Sequence, residues 1–148
     1  MVNVKQLLEK KGQNVWAVKP DITVYDALKK MAERDIGALL VMDNGKLFGV
    51  FTERDYARKV ILKGKSSKDT NVADYMEKHL IYVTPETSIE DCMAIMTEKR
   101  VRHLPVIVNL EVVGIISIGD VVNAVIHHQD IKIKDLEKYI TGAQYGHQ

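Results

Sequence analysis

The chain has one cysteine, Cys92, in 148 residues. A single thiol excludes an internal disulfide framework and fits a reducing compartment, so a cytoplasmic location is expected. An excess of one charge is also missing. Lys and Arg number 21 against 20 Asp and Glu, leaving a net charge of +1. A balance this even gives no bulk pull toward nucleic acid or an anionic membrane. Any anion must be held by a local site. Long apolar runs are missing too, since Val112-Val113-Gly114-Ile115-Ile116 is far too short to span a bilayer. Charges come too early and too often at the N-terminus for a secretory signal. There is no glycine-rich phosphate loop and no nucleophile–base pair. His127 and His128 are adjacent, so on a helix they point apart and make a poor metal site. These absences argue for a protein that is not an enzyme and carries no catalytic cofactor or metal.

What the chain does have is an internal repeat. Adding 65 to a residue number maps the first half onto the second. Val18, Pro20, Asp26, Met31, Leu39, Val41, Gly49 and Asp55 become Val83, Pro85, Asp91, Met96, Leu104, Val106, Gly114 and Asp120. The register holds without a gap from about Val15 to Val60. A period of this kind decides the architecture before local signals are read. One unit of about 60 residues buries too little surface to be comfortably stable. Two units sharing a core do not have that difficulty.

Each unit reads β-α-β-β-α. In the first, Val15–Val18 is a short strand. A helix follows with Val24, Ala27, Leu28 and Met31 at i, i+3, i+4, i+7 spacing, ended by Gly37. Strands Ala38–Met42 and Leu47–Phe51 flank a turn at Asp43-Asn44-Gly45. A second helix runs from Thr52 to about Leu62. In the second unit the strand is Leu80–Val83 and the first helix carries Ile89, Cys92, Met93 and Met96. Strands Leu104–Val108 and Val112–Ile116 follow, then a helix from about Ser117 to His127. Asn3 caps a short N-terminal helix reaching about Lys10, broken by Gly12 and Asn14. The expected domains are a lead-in at 1–14, repeats at 15–62 and 80–127, and a linker with a short helix at 63–79. A C-terminal helix, Ile131–Ile140, and a frayed tail occupy 128–148.

Both units contain glycine, two apolar residues, Thr or Ser, two further residues, then Asp. The copies are Gly49-Val50-Phe51-Thr52-Glu53-Arg54-Asp55 and Gly114-Ile115-Ile116-Ser117-Ile118-Gly119-Asp120. Each lies where a strand enters a helix. A helix start offers unpaired N–H groups and a partial positive charge, which suit phosphate. The hydroxyl can donate to a phosphate oxygen. The carboxylate three residues on repels phosphate, and its natural partner is a pair of sugar hydroxyls. The same spacing is also a helix capping box with Asp in place of Glu. Thr23–Asp26 and Ser88–Asp91 fit it with no ligand implied. Spacing leaves both readings open.

With these motifs, Pro20 and Pro85, the helix stripes and Arg102-His103-Leu104-Pro105-Val106, the chain resembles a pair of CBS (cystathionine-β-synthase) domains, a Bateman module. The resemblance runs from Val15 to Val125. It implies an α/β (α+β) fold of two pseudo-twofold related units packed as one module. It also implies a regulatory module binding AMP, ADP, ATP, NAD or S-adenosylmethionine in clefts between the repeats. In one cleft Asp120 would hold the ribose and Ser117, beside Gly119, would face phosphate near Arg102 and His103. Ile22 and the edge Ile36-Gly37-Ala38 would flank the adenine. In the other, Asp55 would take the ribose and Thr52 the phosphate. Arg54 and Arg58 would add charge there, and Thr87 with the edge beginning at Val101 would flank the base.

The copies differ. Leu40 stands opposite Pro105, Arg54 opposite Gly119, and Gly37-Ala38 opposite Arg102-His103, so unequal clefts are expected. Val121, Val122, Ala124, Val125 and Ile126 make the last repeat helix apolar on most of its circumference. A homodimer through such helices is expected, unless the N-terminal helix or the C-terminal tail covers the patch. The effector protein is unknown. The alternative function is a dimerising interaction protein with degenerate clefts.

Overall fold

The computed structural model describes residues 2–12 and 15–137. Asn14, the end of the expected C-terminal helix at Ile140 and the tail Thr141–Gln148 lie outside the described residues. In chain order the elements are α1 (Val4–Lys11), β1 (Ala17–Val18), α2 (Val24–Arg34), β2 (Ala38–Asp43), β3 (Lys46–Thr52) and α3 (Glu53–Asp55). They continue with α4 (Ile89–Lys99), β4 (His103–Val108), β5 (Glu111–Ser117) and α5 (Ile118–Glu137). A π-helical turn spans Tyr56–Val60, and 3-10 turns span Ile61–Lys63 and Val72–Asp74. Of the described residues, 2–12, 83–106 and 115–137 form one compact unit, and 15–82 with 107–114 form another.

In the unit built on residues 14–82, β1 runs parallel to β2 through Ala17–Leu40 and Val18–Val41. Strand β2 pairs antiparallel with β3 from Ala38–Thr52 to Asp43–Lys46. The connecting turn has Asn44 at φ 52 and Gly45 at φ 77, the geometry that closes a two-residue hairpin. Helix α2 begins where the Thr23 hydroxyl accepts the Asp26 N–H at 3.1 Å. It ends at Asp35, in left-handed conformation at φ 54, not at Gly37. Ile36 N–H then closes on the Met31 carbonyl at 3.0 Å, so the stop is a Schellman turn that an Asp can adopt. Val24, Ala27 and Met31 from α2 meet Leu39, Val41 and Phe51 from the sheet, with Val18, Val60 and Val72 completing the core. The segment after Thr52 is not the single helix expected to Leu62. It passes from α through π to 3-10 geometry and stops at Gly64, φ 72.

The second repeat follows the same plan. Ser88 caps α4 at Asp91 N–H, 3.0 Å. Arg100 at φ 56 stands where Asp35 does, and Val101 N–H reaches Met96 at 3.1 Å. Val83, Ile89, Cys92, Met96, Leu104, Val106 and Ile116 are buried. They are the 65-residue images of Val18, Val24, Ala27, Met31, Leu39, Val41 and Phe51. The duplication therefore extends to the core and to the backbone exceptions. At the second hairpin tip Leu110 occupies, at φ 68, the place of Gly45, a conformation costing a side-chain-bearing residue roughly 1–2 kcal/mol.

Two expectations fail here. The strand Leu80–Val83 shrinks to one parallel bridge, Val83 to Val106. In the first unit the Leu40 N–H bonds the Trp16 carbonyl at 3.0 Å. Pro105, at the matching position, has no N–H with which to do the same. The last repeat helix and the expected separate C-terminal helix are also one element, α5, of 20 residues. No proline or glycine lies between Val121 and Glu137 to break it.

Helix α1 opens with a capping box in which Asn3 and Gln6 exchange hydrogen bonds of 3.0 Å. It ends at Gly12, φ 97. Its start is fixed by Val4 N–H to the Thr87 carbonyl and Lys5 N–H to the Pro85 carbonyl, both 2.9 Å.

Candidate functional site

The two glycine-to-aspartate motifs adopt the same local structure. In one, the Thr52 hydroxyl accepts the Asp55 N–H at 3.1 Å, and Asp55 Oδ2 accepts the Thr52 N–H at 3.0 Å. In the other, Ser117 and Asp120 do the same at 3.1 and 2.8 Å. Both are complete capping boxes, so the cap is present whatever else the motif does. The next N–H is also used. Glu53 donates to the Gly37 carbonyl at 3.0 Å and Ile118 to the Arg102 carbonyl at 2.8 Å. These bonds are images of each other across the 65-residue shift. They weaken the expectation of a bare helix-start cradle, because two of the first N–H groups already have partners. Each hydroxyl acts as an acceptor and still has its own proton to donate.

Each aspartate has a lysine beside it that the motif spacing did not bring out. Lys11, at the end of α1, places Nζ 2.5 Å from Asp120 Oδ2 and 2.8 Å from the Ile115 carbonyl. Lys59 places Nζ 3.1 Å from Asp55 Oδ1 and 3.9 Å from Glu77 Oε2. The Lys59 contact is an i, i+4 pair and was open to detection by spacing. Lys11 stands 109 residues from its partner, with no local signal to betray it.

Around Asp120, the same compact unit holds Arg102, which is exposed, and His103, which is half-buried. Burial, helped by the positive charge of Lys11, lowers the His103 pKa below its ordinary value; Asp120 opposes this. The imidazole is therefore neutral at pH 7 and acts as a hydrogen-bonding group more than as a cation. Gly119 has room for a Cβ, whose nearest neighbour would be Ser117 Oγ at 3.6 Å. A pocket of about 450 Å3 lies between α1 and α5 against Asp120. Leu7 and Ala124 form apolar wall, and Lys10, Lys11, Asn123 and His127 add polar groups.

Around Asp55, Ala38 pairs directly with Thr52 across the sheet. Gly37 and Ala38 thus sit beside Thr52 and Asp55 in one unit, although the resemblance divides them between clefts. Ile22 and Ile36 pack on the core of that unit. Arg54 is half-buried and Arg58 exposed. Gly49 has a packing reason of its own. A Cβ there would lie 2.7 Å from the Glu77 carbonyl oxygen and 2.8 Å from Met76 Sδ. Thr87, expected to flank a base, uses its hydroxyl to accept the Thr84 N–H at 3.1 Å and its carbonyl to anchor α1. Val101 is half-buried and closes the Schellman turn of α4.

Among the described residues no group of three His, Cys, Asp or Glu side chains could hold a metal ion. No helix among them is long and apolar enough to cross a membrane. The Cys92 thiol is buried, and burial with Asp91 and Glu90 pushes its pKa up to about 11. It stays protonated, so it is no nucleophile.

Fold and motifs define a tandem α/β repeat with a hydroxyl–carboxylate box at the same strand-to-helix junction of each copy. The CBS domain family model matches twice, over residues 4–62 and 72–127. The chain belongs to the CBS-domain family, whose members are in general regulatory and signal-transduction modules. It is 44% identical to the mitochondrial CBS domain-containing protein CBSX3 of Arabidopsis thaliana, over 94% of this chain and 72% of that one. A solved structure of a CBS-domain protein of Burkholderia ambifaria, ascribed to signal transduction, is 48% identical. It has a TM-score of 0.83, covering 86% of this chain and 96% of that one. A hexameric CBS-CP12 protein from bloom-forming cyanobacteria is 30% identical with a TM-score of 0.74, over 82% and 66% of the two chains.

Proposed function

We propose that the protein is a non-catalytic sensor of adenosine nucleotides, AMP, ADP, ATP or NAD, in which Asp120 and Asp55 each accept ribose hydroxyls. The observation that carries this reading is the duplicated box. Two junctions 65 residues apart keep a hydroxyl with a proton to give and a carboxylate in one arrangement, and each carboxylate has a lysine beside it, from α1 at Asp120 and from the following turn at Asp55. Capping alone accounts for the hydroxyl and the carboxylate. It gives no reason for a cation at both aspartates, whereas a phosphorylated sugar uses an acceptor and a cation together. Ser117, Arg102 and His103 serve the phosphate at one site, and Thr52, Arg54 and Arg58 at the other. Binding shifts the population of the module toward the arrangement that fits the nucleotide, by no more than its differential affinity.

The protein acts as an oligomer of identical copies, with a dimer as the smallest form. Ile118, Val122, Ile126, Ile133 and Leu136 stay exposed along α5 even though α1 packs on that helix. Their spacing of three, four or seven residues makes one continuous stripe suited to a second copy. The hexameric cyanobacterial relative supports assembly as a property of such chains.

A second reading, an interaction protein with degenerate clefts, draws on one observation: Lys11 and Lys59 already satisfy the two aspartates. Thermal melting separates the two. Adenylate at about 100 times its Kd adds about 2.7 kcal/mol, which for a chain of this length raises Tm by about 5–10 °C. Unchanged melting with AMP, ADP, ATP and NAD alike supports the interaction protein instead.

A further inference from the structure

We propose that Lys11 is a built-in stand-in for the ribose at Asp120, displaced only by nucleosides that carry phosphate; this rests on the nucleotide-binding reading above. The Lys11 ammonium donates two hydrogen bonds, to Asp120 Oδ2 and to the Ile115 carbonyl. A ribose diol has two O–H donors, so it can replace the ammonium on the same two acceptors one for one. The exchange differs in what becomes of the charge. A neutral nucleoside gives the expelled ammonium no new anion, and it must break an ion pair to enter. A nucleoside phosphate brings its own anion, and the flexible four-carbon stem of lysine lets Nζ follow it.

The surroundings fit this exchange. Helix α1 is held at its N-terminal end by the Thr87 and Pro85 carbonyls, so Lys11 can leave Asp120 without α1 leaving its place. The pocket beside Asp120, with Lys10, Asn123 and His127 on its walls, leaves the freed ammonium room to turn toward a phosphate held near Ser117. The Lys11 side chain is about one-third exposed, so the pair is loose enough to exchange and not a buried structural bridge. Lys11 is thus a specificity-determining residue, selecting phosphorylated over unphosphorylated adenosine. The equivalent lysine at Asp55, Lys59, comes from the same helical segment as its aspartate and also contacts Glu77.

Isothermal titration of adenosine and AMP into wild type, Lys11→Met and Lys11→Arg tests the proposal. It is read at the site that Asp120→Ala removes. The expected result is that Lys11→Met binds adenosine more tightly and AMP less tightly than wild type. The AMP-to-adenosine preference then falls about tenfold, equal to about 1.4 kcal/mol. Lys11→Arg, which keeps the charge, retains the wild-type preference and shows that helix α1 tolerates substitution there. If AMP binds wild type but Lys11→Met keeps its preference, Lys11 is a surface ion pair and the proposal is overturned. If neither ligand binds wild type, the nucleotide reading fails and takes the proposal with it.

Discussion

Phe51→Ala is expected to destabilise the protein by about 3–5 kcal/mol, more than truncation of any smaller core side chain. Phe51 has no exposed surface and lies in the middle of a core made by Val18, Val24, Ala27, Met31, Leu39, Val41, Val60 and Val72. Its removal leaves a cavity walled by those eight side chains, with the backbone of β3 held in register on β2 from Ala38–Thr52 to Asp43–Lys46. Residue 51 also directly precedes Thr52, so loss of packing reaches the capping box. Urea denaturation should show a lower midpoint with the slope preserved. A loss below about 1 kcal/mol would mean that the core is not closed around this ring.

Asp120→Ala and Asp55→Ala are each expected to weaken adenylate binding at their own site by roughly a hundredfold, since hydrogen bonds to a charged group are worth about 1.5–3 kcal/mol each. Each should also lower the stability of the ligand-free protein by about 1 kcal/mol, because each carboxylate completes a capping box. The two effects can be separated by Asp→Asn. The amide oxygen still accepts the Ser117 or Thr52 N–H, but the negative charge is gone. Asp120→Asn should therefore melt close to wild type and bind adenylate poorly. Affinity unchanged in both Asp→Ala variants, with stability reduced, would leave capping as the whole role of the motif.

Much of the fold was legible because the repeat made each signal count twice. The stripe at Val24, Ala27, Leu28 and Met31 is read again at Ile89, Cys92, Met93 and Met96; six of these eight are buried, while Leu28 is half-buried and Met93 exposed. The Asn44-Gly45 turn and the caps at Asn3, Thr23 and Ser88 follow from local hydrogen-bonding chemistry that needs no tertiary information. What escaped was tertiary or depended on one residue's departure from its copy. Leu80–Val83 looks as strand-like as Val15–Val18, yet Pro105 removes the donor that would extend its ladder. Asp35 ends α2 in a conformation for which Gly37, two residues on, was the more obvious candidate. The two expected helices, to His127 and from Ile131, join into α5 because no proline or glycine stands between them.

At the site, the carboxylates and hydroxyls were legible from spacing, because the motif is local. The question that spacing left open, cap or ligand contact, is sharpened by the structure, which makes both carboxylates caps. Lys11 was out of reach, since nothing in the sequence near α1 says that its last turn meets Asp120. The lysines also change the electrostatic argument. A carboxylate alone repels phosphate, whereas a carboxylate with a movable ammonium can accept a sugar on one side and an anion on the other.

The central claim, that Asp120 and Asp55 recognise sugar hydroxyls, is tested most directly by titrating AMP against its 2′,3′-dideoxy analogue. The base and phosphate of the two ligands are identical, so any difference belongs to the diol. The account predicts that the analogue binds roughly a hundredfold more weakly to wild type. It also predicts that the gap closes in the Asp55→Ala/Asp120→Ala double variant. Equal affinity of wild type for both ligands would contradict it.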